Sequence, residues 1–170
     1  AGLEQLLMLA APLVHLGLIQ SNRGDIDGAM ELLEKALKID QHNLDVRNNY
    51  GTILSTQSKF EEAIPHFLFV LKRDPAHVQA RINLSQAYEE AGLYSEAMTE
   101  YRTLDKTITH NKGYIYYRMA RVHSQQKKFS ECEDYLEMAL KDGFDVLKLI
   151  TSDNGFIHFR ETQAYRRFLD

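Results

Sequence analysis

The feature of this sequence that most constrains its fold is a period of 34 residues in the placement of small side chains. Ala29, Ala63 and Ala97 are 34 residues apart, and Cys132 follows after a step of 35. Larger apolar residues keep the same step three positions earlier, at Ile26, Phe60, Tyr94 and Phe129. A period of this length indicates one supersecondary unit repeated along the chain. Because a single unit cannot bury its apolar surface, neighbouring units are expected to stack into a continuous core.

Each unit has the pattern of two helices joined by a short turn. In the third unit the apolar residues follow the i, i+3, i+4, i+7 spacing of a helix, at Leu84, Ala87, Tyr88 and Ala91. Gly92 and Leu93 interrupt this pattern, and a second helical pattern begins at Tyr94. Small residues recur in both helices, so the two backbones are expected to approach closely while larger side chains fill the space beside them.

Residues 16–40 (LGLIQSNRGDIDGAMELLEKALKID) resemble a consensus tetratricopeptide repeat. The matching residues are Leu16, Gly17, Gly24, Asp25, Ala29, Ala36 and Leu37. The resemblance implies an all-α fold, a right-handed superhelix (α-solenoid) of about four helix-turn-helix hairpins with capping helices at both ends. The repeats are expected at residues 10–43, 44–77, 78–111 and 112–145, with caps at residues 1–9 and 146–170. The chain departs from the family pattern at Ser58 and Lys127, which replace the turn glycine.

The two ends of such a stack expose apolar surface, which a cap has to cover. At the N-terminus, a capping helix is expected from Leu3, Leu6, Leu7 and Leu9. After Leu140 the repeat stops, and Gly143 suits a left-handed helix end. The aromatic tail beyond it, similar to tails that follow repeat arrays in many bacterial proteins, is expected to pack on the fourth hairpin through Phe156, Phe159, Phe168 and Leu169.

Composition and charge exclude several classes of function. Twenty Lys and Arg against 24 Asp and Glu give a net charge of −4, which argues against nucleic acid as a partner. The longest weakly charged run, residues 6–19, is too short to cross a bilayer. A cytoplasmic location is expected, or a periplasmic or lipid-anchored one if an N-terminal signal was trimmed, since residues 1–4 lack the basic start of a signal peptide.

No motif of this sequence supports catalysis. The seven histidines do not fall at metal-ligand spacing with a supporting His, Cys or carboxylate, and no Gly-rich phosphate loop is present. Cys132 occupies a core register of its repeat, which predicts a buried, inert thiol rather than a nucleophile. The sequence therefore predicts no enzyme, no cofactor and no metal site. An enzyme would require a further catalytic domain beyond this chain.

The candidate partner-binding residues lie on the first helix of each repeat, which in tetratricopeptide proteins lines the concave wall. They are Asn48, Asn49, Thr52, Asn83, Gln86, Tyr117, Arg118 and Arg121. Asn49, Asn83 and Arg118 occupy the same position in successive repeats, so they are expected to form a ladder. Carboxamides can pair with the backbone of an extended peptide, and the arginines could bind a carboxylate. The alternative is that these side chains are simply the solvated face of the helices.

The first repeat carries an apolar patch, Ala11, Val14, His15 and Leu18, on the same wall. This patch could be an anchor pocket for a partner's side chain, or it could be covered by the N-terminal helix Leu3–Ala10 or by a missing upstream repeat. It also allows a homo-oligomer through the apolar N-terminal end.

The sequence thus predicts a non-catalytic module that binds a partner peptide or domain in the concave groove. The expected partner is another protein or an extended peptide, with no nucleic acid and no membrane-spanning segment. The alternative is a dedicated chaperone, or an assembly or secretion factor, that masks a hydrophobic segment of its client. The two differ in ligand, which would be polar and carboxylate-bearing for the first and apolar for the second.

Overall fold

The computed structural model describes the backbone of residues 2–169 and the side chains of residues 9–169. Within this range the chain is all-α, as the sequence predicted, and consecutive helices are joined by short turns. The chain divides into two compact units, Ala1–Gly92 and Leu93–Asp170. The third repeat contributes its first helix to one unit and its second helix to the other.

The first unit contains two and a half repeats. Its helices are α1 (Gly2–Asn22), α2 (Ile26–Ile39), α3 (Leu44–Thr56), α4 (Phe60–Arg73) and α5 (Val78–Glu90). Polar side chains cap the N-termini of several of these helices. Asp25 Oδ1 accepts a hydrogen bond from the Gly28 N–H at 3.0 Å, and Asn43 Oδ1 accepts one from the Val46 N–H at 3.1 Å. These caps satisfy backbone donors that have no partner inside the helix.

The first helix differs from the sequence-based expectation. A separate capping helix over residues 1–9 was predicted, but α1 runs from Gly2 to Asn22 with Pro12 inside it. A lone proline removes one backbone hydrogen bond, and the leucines around it favour the helix. Leu9 is 56% exposed, while the side chains of Leu3, Leu6 and Leu7 lie outside the described residues.

The second unit contains the end of the repeat array and the tail. Its helices are α6 (Tyr94–Thr107), α7 (Gly113–Gln125), α8 (Phe129–Lys141), α9 (Leu147–Ser152) and α10 (Gln163–Leu169), with 3₁₀ turns at Asn154–Phe156 and Phe159–Glu161. Phe156 and Phe159 are fully buried in one cluster with the core of α7 and α8, and Phe168 packs against it. Leu169 is 51% exposed, so its predicted packing is wrong: Ala164, Tyr165 and Phe168 form the inner side of α10.

The small residues in the first helices allow close helix packing, as the spacing predicted. A Cβ added to Gly51 in α3 would lie 2.8 Å from Cε1 of Phe67 in α4, closer than carbon atoms pack. The Phe67 ring is fully buried against this bare stretch of backbone. The pairing of a small residue with a large one therefore sets the distance between the helices of the second hairpin.

The turn inside each repeat uses one left-handed residue, whether or not it is glycine. The φ angles are 85° at Gly24, 60° at Ser58, 77° at Gly92 and 59° at Lys127. Ser58 and Lys127 thus adopt the turn conformation that the family pattern reserves for glycine. A side chain in this region of φ/ψ space meets its own backbone, which costs free energy that glycine does not lose.

Replacing Lys127 with glycine is expected to stabilise the protein. Relief of the left-handed strain should raise the free energy of unfolding by roughly 1 kcal/mol, since Lys127 is exposed and its side chain makes no hydrogen bond within the described residues. Urea denaturation measures the change. The matched control, Gly92→Ala, should destabilise by a similar amount. A destabilised Lys127→Gly variant would contradict the left-handed turn.

Cys132 is expected to react with Ellman's reagent only after denaturant is added. Its side chain is fully buried, and burial raises the pKa of the thiol, so the reactive thiolate is suppressed in the native protein. The measurement compares labelling rates with and without urea. Fast labelling of the folded protein would show that α8 is rotated away from this register.

Candidate functional site

The candidate surface of the first unit, here called the first-helix face, is formed by α1, α3 and α5. The central helix α3 contacts both α1 and α5. Of the residues that the sequence singled out, Asn48, Asn49 and Thr52 lie on α3, and Asn83 and Gln86 on α5. The structure shows that these five residues have different surroundings.

Asn83 joins α5 to α3 through its side-chain amide. Its Nδ2 donates to Asn48 Oδ1 at 3.1 Å and to Thr52 Oγ1 at 3.0 Å. Its Oδ1 accepts a hydrogen bond from Gln79 Nε2 at 2.9 Å. Asn48 is buried, whereas Thr52 is exposed. Because both N–H bonds of the Asn83 amide are used inside the protein, this residue ties two repeats together rather than offering free donors to a ligand.

Asn49 and Gln86 are both half-buried on this face. The side chain of Asn49 makes no hydrogen bond to any residue that the structure describes, so its donor and acceptor groups are available. Arg118 lies in the second unit, where its Nε donates to Tyr101 Oη at 3.2 Å. The ladder of Asn49, Asn83 and Arg118 stays a prediction.

Tyr117 and Arg121 on α7 are held by the C-terminal tail. Tyr117 Oη donates to Asp153 Oδ2 at 2.5 Å, and Arg121 Nε pairs with Asp153 Oδ1 at 3.0 Å. The Tyr117 ring is only 5% exposed and packs against Phe144 and Phe156. The expectation that Tyr117 contacts a partner is therefore corrected: the tail occupies that position. Arg121, predicted to bind a partner's carboxylate, binds one supplied by its own chain.

The electrostatics of Asp153 explain how firmly it is held. Burial opposes its ionisation, but hydrogen bonds from Tyr117, the Gly155 N–H and Arg121 outweigh burial and keep the pKa of Asp153 below its usual range. Burial, and then Asp153 itself, raise the pKa of Tyr117, so the phenol stays protonated and donates. The tail thus places a charged carboxylate between two groups of α7.

An open cavity lies between α1 and the start of α3. Its volume is about 220 Å³, and it is lined by Ala11, Val14, His15, Leu18, Asn43 and Asp45. The first four are the apolar patch that the sequence identified. The backbone of α1 continues away in a single helix, so residues 2–10 do not fold back over the patch. The expectation of a cover from the N-terminal helix is therefore wrong.

The described residues offer neither a metal site nor a membrane span. They contain no group of three or more His, Cys, Asp or Glu side chains that could hold a metal ion. No helix among them is long and apolar enough to cross a membrane.

Asp153→Asn is expected to destabilise the protein at neutral pH, by roughly 2 kcal/mol, because the hydrogen bonds to a charged group are lost. The folded pKa of Asp153 is depressed, so its contribution is complete above the unfolded value near ~4 and disappears as the pH falls through the folded value. Urea denaturation at neutral and acidic pH should show the two proteins converging in acid. The exposed Asp134→Asn is the control, and an equal effect there would contradict the role of Asp153.

Comparison with known proteins agrees with this architecture. Two family models, both described as tetratricopeptide repeat, match residues 10–43 and 51–107, together more than half of the chain. DnaJ homolog subfamily C member 7 of Homo sapiens is 25% identical over 148 residues, which are 85% of this chain and 27% of that protein. The peroxisomal targeting signal receptor of Saccharomyces cerevisiae is 30% identical over 82 residues, which are 48% of this chain and 13% of that protein. The chain thus spans only a small part of the length of these curated relatives.

Solved structures show the same fold at low sequence identity. A structure of MamA AMB-1 aligns with a TM-score of 0.72 at 23% identity, covering 77% of each chain. PilF of Pseudomonas aeruginosa aligns with a TM-score of 0.69 at 20% identity, covering 99% of this chain and 78% of that one. The repeat spacing, the helical hairpins and the family models agree, and the chain belongs to the tetratricopeptide repeat family.

Proposed function

We propose that this chain is a non-catalytic interaction module whose first-helix face binds an extended segment of a partner protein. Tetratricopeptide repeats mediate protein–protein interactions, and the repeat is typically a scaffold without catalytic groups. The observation that supports this site most strongly is the cavity between α1 and α3. The segment would place one apolar side chain in it.

The size and lining of the cavity suit a single side chain. At about 220 Å³ it is smaller than the roughly 300–1,000 Å³ of typical small-molecule sites. Its walls are the apolar parts of Ala11, Val14 and Leu18, and Leu18 is 36% exposed. Filling the cavity would remove this surface from water, which is the usual source of affinity at the centre of an interface.

The rim of the cavity adds a preference for a positively charged residue in the partner segment. Asp45 is exposed and makes no ion pair with any residue that the structure describes. A lysine or arginine next to the apolar anchor would pair with this carboxylate, whereas an acidic residue would be repelled. The preferred partner segment is therefore an apolar residue beside a basic one.

Polar groups further along α3 suit the backbone of the same segment. Asn49 has a free carboxamide. The exposed Thr52 shares with Asn48 the hydrogen bonds that Asn83 donates. A carboxamide can donate to a peptide carbonyl and accept from a peptide N–H at once, whatever the ligand's sequence. Anchor and backbone contacts together would orient the segment along α3.

The second candidate function is a chaperone or assembly factor that masks an apolar client segment. It is favoured by the exposed leucines of α1, since Leu9 and Leu16 are 56% and 50% exposed in addition to Leu18. Such a client would use a run of apolar residues and would need no basic neighbour. The preference at the residue beside the anchor therefore separates the two functions.

The test is a peptide-display selection on the purified chain and on Asp45→Lys. The wild type should enrich an apolar residue next to Lys or Arg, and the charge-reversed variant should enrich an acidic neighbour instead. Leu18→Asp should weaken the selected peptides by roughly tenfold or more, because the apolar wall is lost. Glu61→Lys, an exposed charge reversal on α4, is the matched control and should change nothing.

Two results would contradict the proposal. Purely apolar selected peptides that bind Asp45→Lys unchanged would favour the masking function. Peptides that bind Leu18→Asp as well as the wild type would place the site elsewhere on the chain.

A further inference from the structure

The second repeat holds two arginines on a single phenylalanine ring. The guanidinium carbon of Arg47 lies 3.7 Å from the centroid of the Phe69 ring, and that of Arg73 lies 3.5 Å from it. Two planar groups cannot share one face of a ring at these distances, so they occupy opposite faces. Each guanidinium is stabilised by the ring, and two positive charges are thereby fixed on either side of it.

The turn between α2 and α3 adds to this cluster. Arg47 Nε donates to the backbone oxygen of Gln41 at 3.0 Å, which fixes the guanidinium and leaves its terminal nitrogens unused. The His42 ring lies parallel to Phe69 with a centroid separation of 6.3 Å, and its Nδ1 is 3.4 Å from Arg73 Nη2. The cluster of Arg47, Arg73 and His42 around Phe69 is here called the arginine cluster.

No carboxylate neutralises the arginine cluster within the described residues. Two acidic side chains close in sequence serve their own turns: Asp40 Oδ1 accepts from the His42 N–H, and Asp74 Oδ1 accepts from the Ala76 N–H. A third, Asp45, is exposed and makes no ion pair with any described residue. Burial, and then the charge of Arg73, lower the pKa of Arg47, as expected for like charges held together. Two arginines kept close without a counter-ion form a site that an anion would stabilise.

We infer that the arginine cluster binds a single phosphoryl group. A planar carboxylate can lie in the plane of one guanidinium but not of two that are separated by the thickness of a ring. A tetrahedral phosphoryl group directs its oxygens into different planes, so at the edge of the Phe69 ring it can accept hydrogen bonds from the terminal nitrogens of both arginines. Its dianionic charge matches the two guanidinium charges.

The surroundings favour one phosphoryl group over a polyanion. Nucleic acid and anionic membranes are bound by many cations spread along a surface. Here the exposed side chains of Asp45, Glu61 and Glu62 on the same two helices would repel such a ligand. The phosphoryl group is therefore carried by a phosphorylated side chain of a partner or by a small phosphorylated molecule.

The experiment titrates the ¹⁵N-labelled chain with inorganic phosphate, with a short phosphoserine peptide and with its unphosphorylated form, at constant ionic strength. The Nε–H signals of Arg47 and Arg73 should shift with both phosphorylated ligands and not with the unmodified peptide. Tighter binding of the peptide than of phosphate would identify a phosphorylated partner, and equal binding would identify a small phosphorylated molecule.

Variants make the assignment specific. Arg47→Gln and Arg73→Gln should each weaken binding by roughly tenfold, because a charge-assisted hydrogen bond is lost. Lys72→Gln removes the same charge from an exposed neighbouring position of α4 and should change affinity less than about twofold. Phosphate should also raise the midpoint of thermal unfolding of the wild type but not of either arginine variant.

Two outcomes would overturn the inference. One is that neither phosphate nor the phosphopeptide causes saturable shifts in the folded wild type, titrated under the same conditions as the variants. The other is an equal loss of binding in Lys72→Gln and Arg47→Gln, which would reduce the effect to general charge.

Discussion

The packing of a bare backbone against an aromatic ring is the contact on which the first unit depends. Gly51 lets Phe67 lie directly on α3, and the added Cβ that would prevent this lies 2.8 Å from the ring. Once the distance between α3 and α4 is set, the side chains on the outer sides of both helices acquire fixed positions. The arginine cluster joins these two helices, with Arg47 on α3 and Phe69 and Arg73 on α4, and α3 also contributes to the first-helix face. The helix α3 is thus common to both proposed sites.

Much of this fold could be predicted because its signals are local and repeated. The recurring small residue located both helices of each repeat, and the family pattern located the turns. The left-handed turns at Ser58 and Lys127 were less certain from the sequence, since neither residue favours that conformation. Both residues nevertheless adopt it, each between two helices that pack against each other. The continuity of α1 through Pro12 was missed for a related reason, because one proline is a weaker signal than the helix around it.

The candidate site was predicted less well, because its key contacts join residues far apart in sequence. Nothing in the periodic pattern relates Tyr117 and Arg121 to Asp153, which lies in a tail without a repeat. Asn48 is buried at the edge of the first-helix face, where its side chain accepts a hydrogen bond from Asn83 of the next repeat. Arg47 was not singled out from the sequence, because nothing in the repeat spacing relates it to an aromatic partner. That partner, Phe69, lies on the other helix of the hairpin.

The carboxylate of Asp153 also limits how this repeat array can be lengthened. Any additional repeat placed after the fourth would have to displace the tail, and with it Asp153, which accepts from Tyr117 Oη and pairs with Arg121. The replacement helix would need an acidic residue at the same point, or α7 would lose the carboxylate that Tyr117 and Arg121 share. The tail therefore caps the repeat array through specific polar contacts, those of Asp153 with Tyr117 and Arg121. Adding repeats after the fourth would require substitutions at Tyr117, Arg121 and Asp153 together, because the three side chains interact.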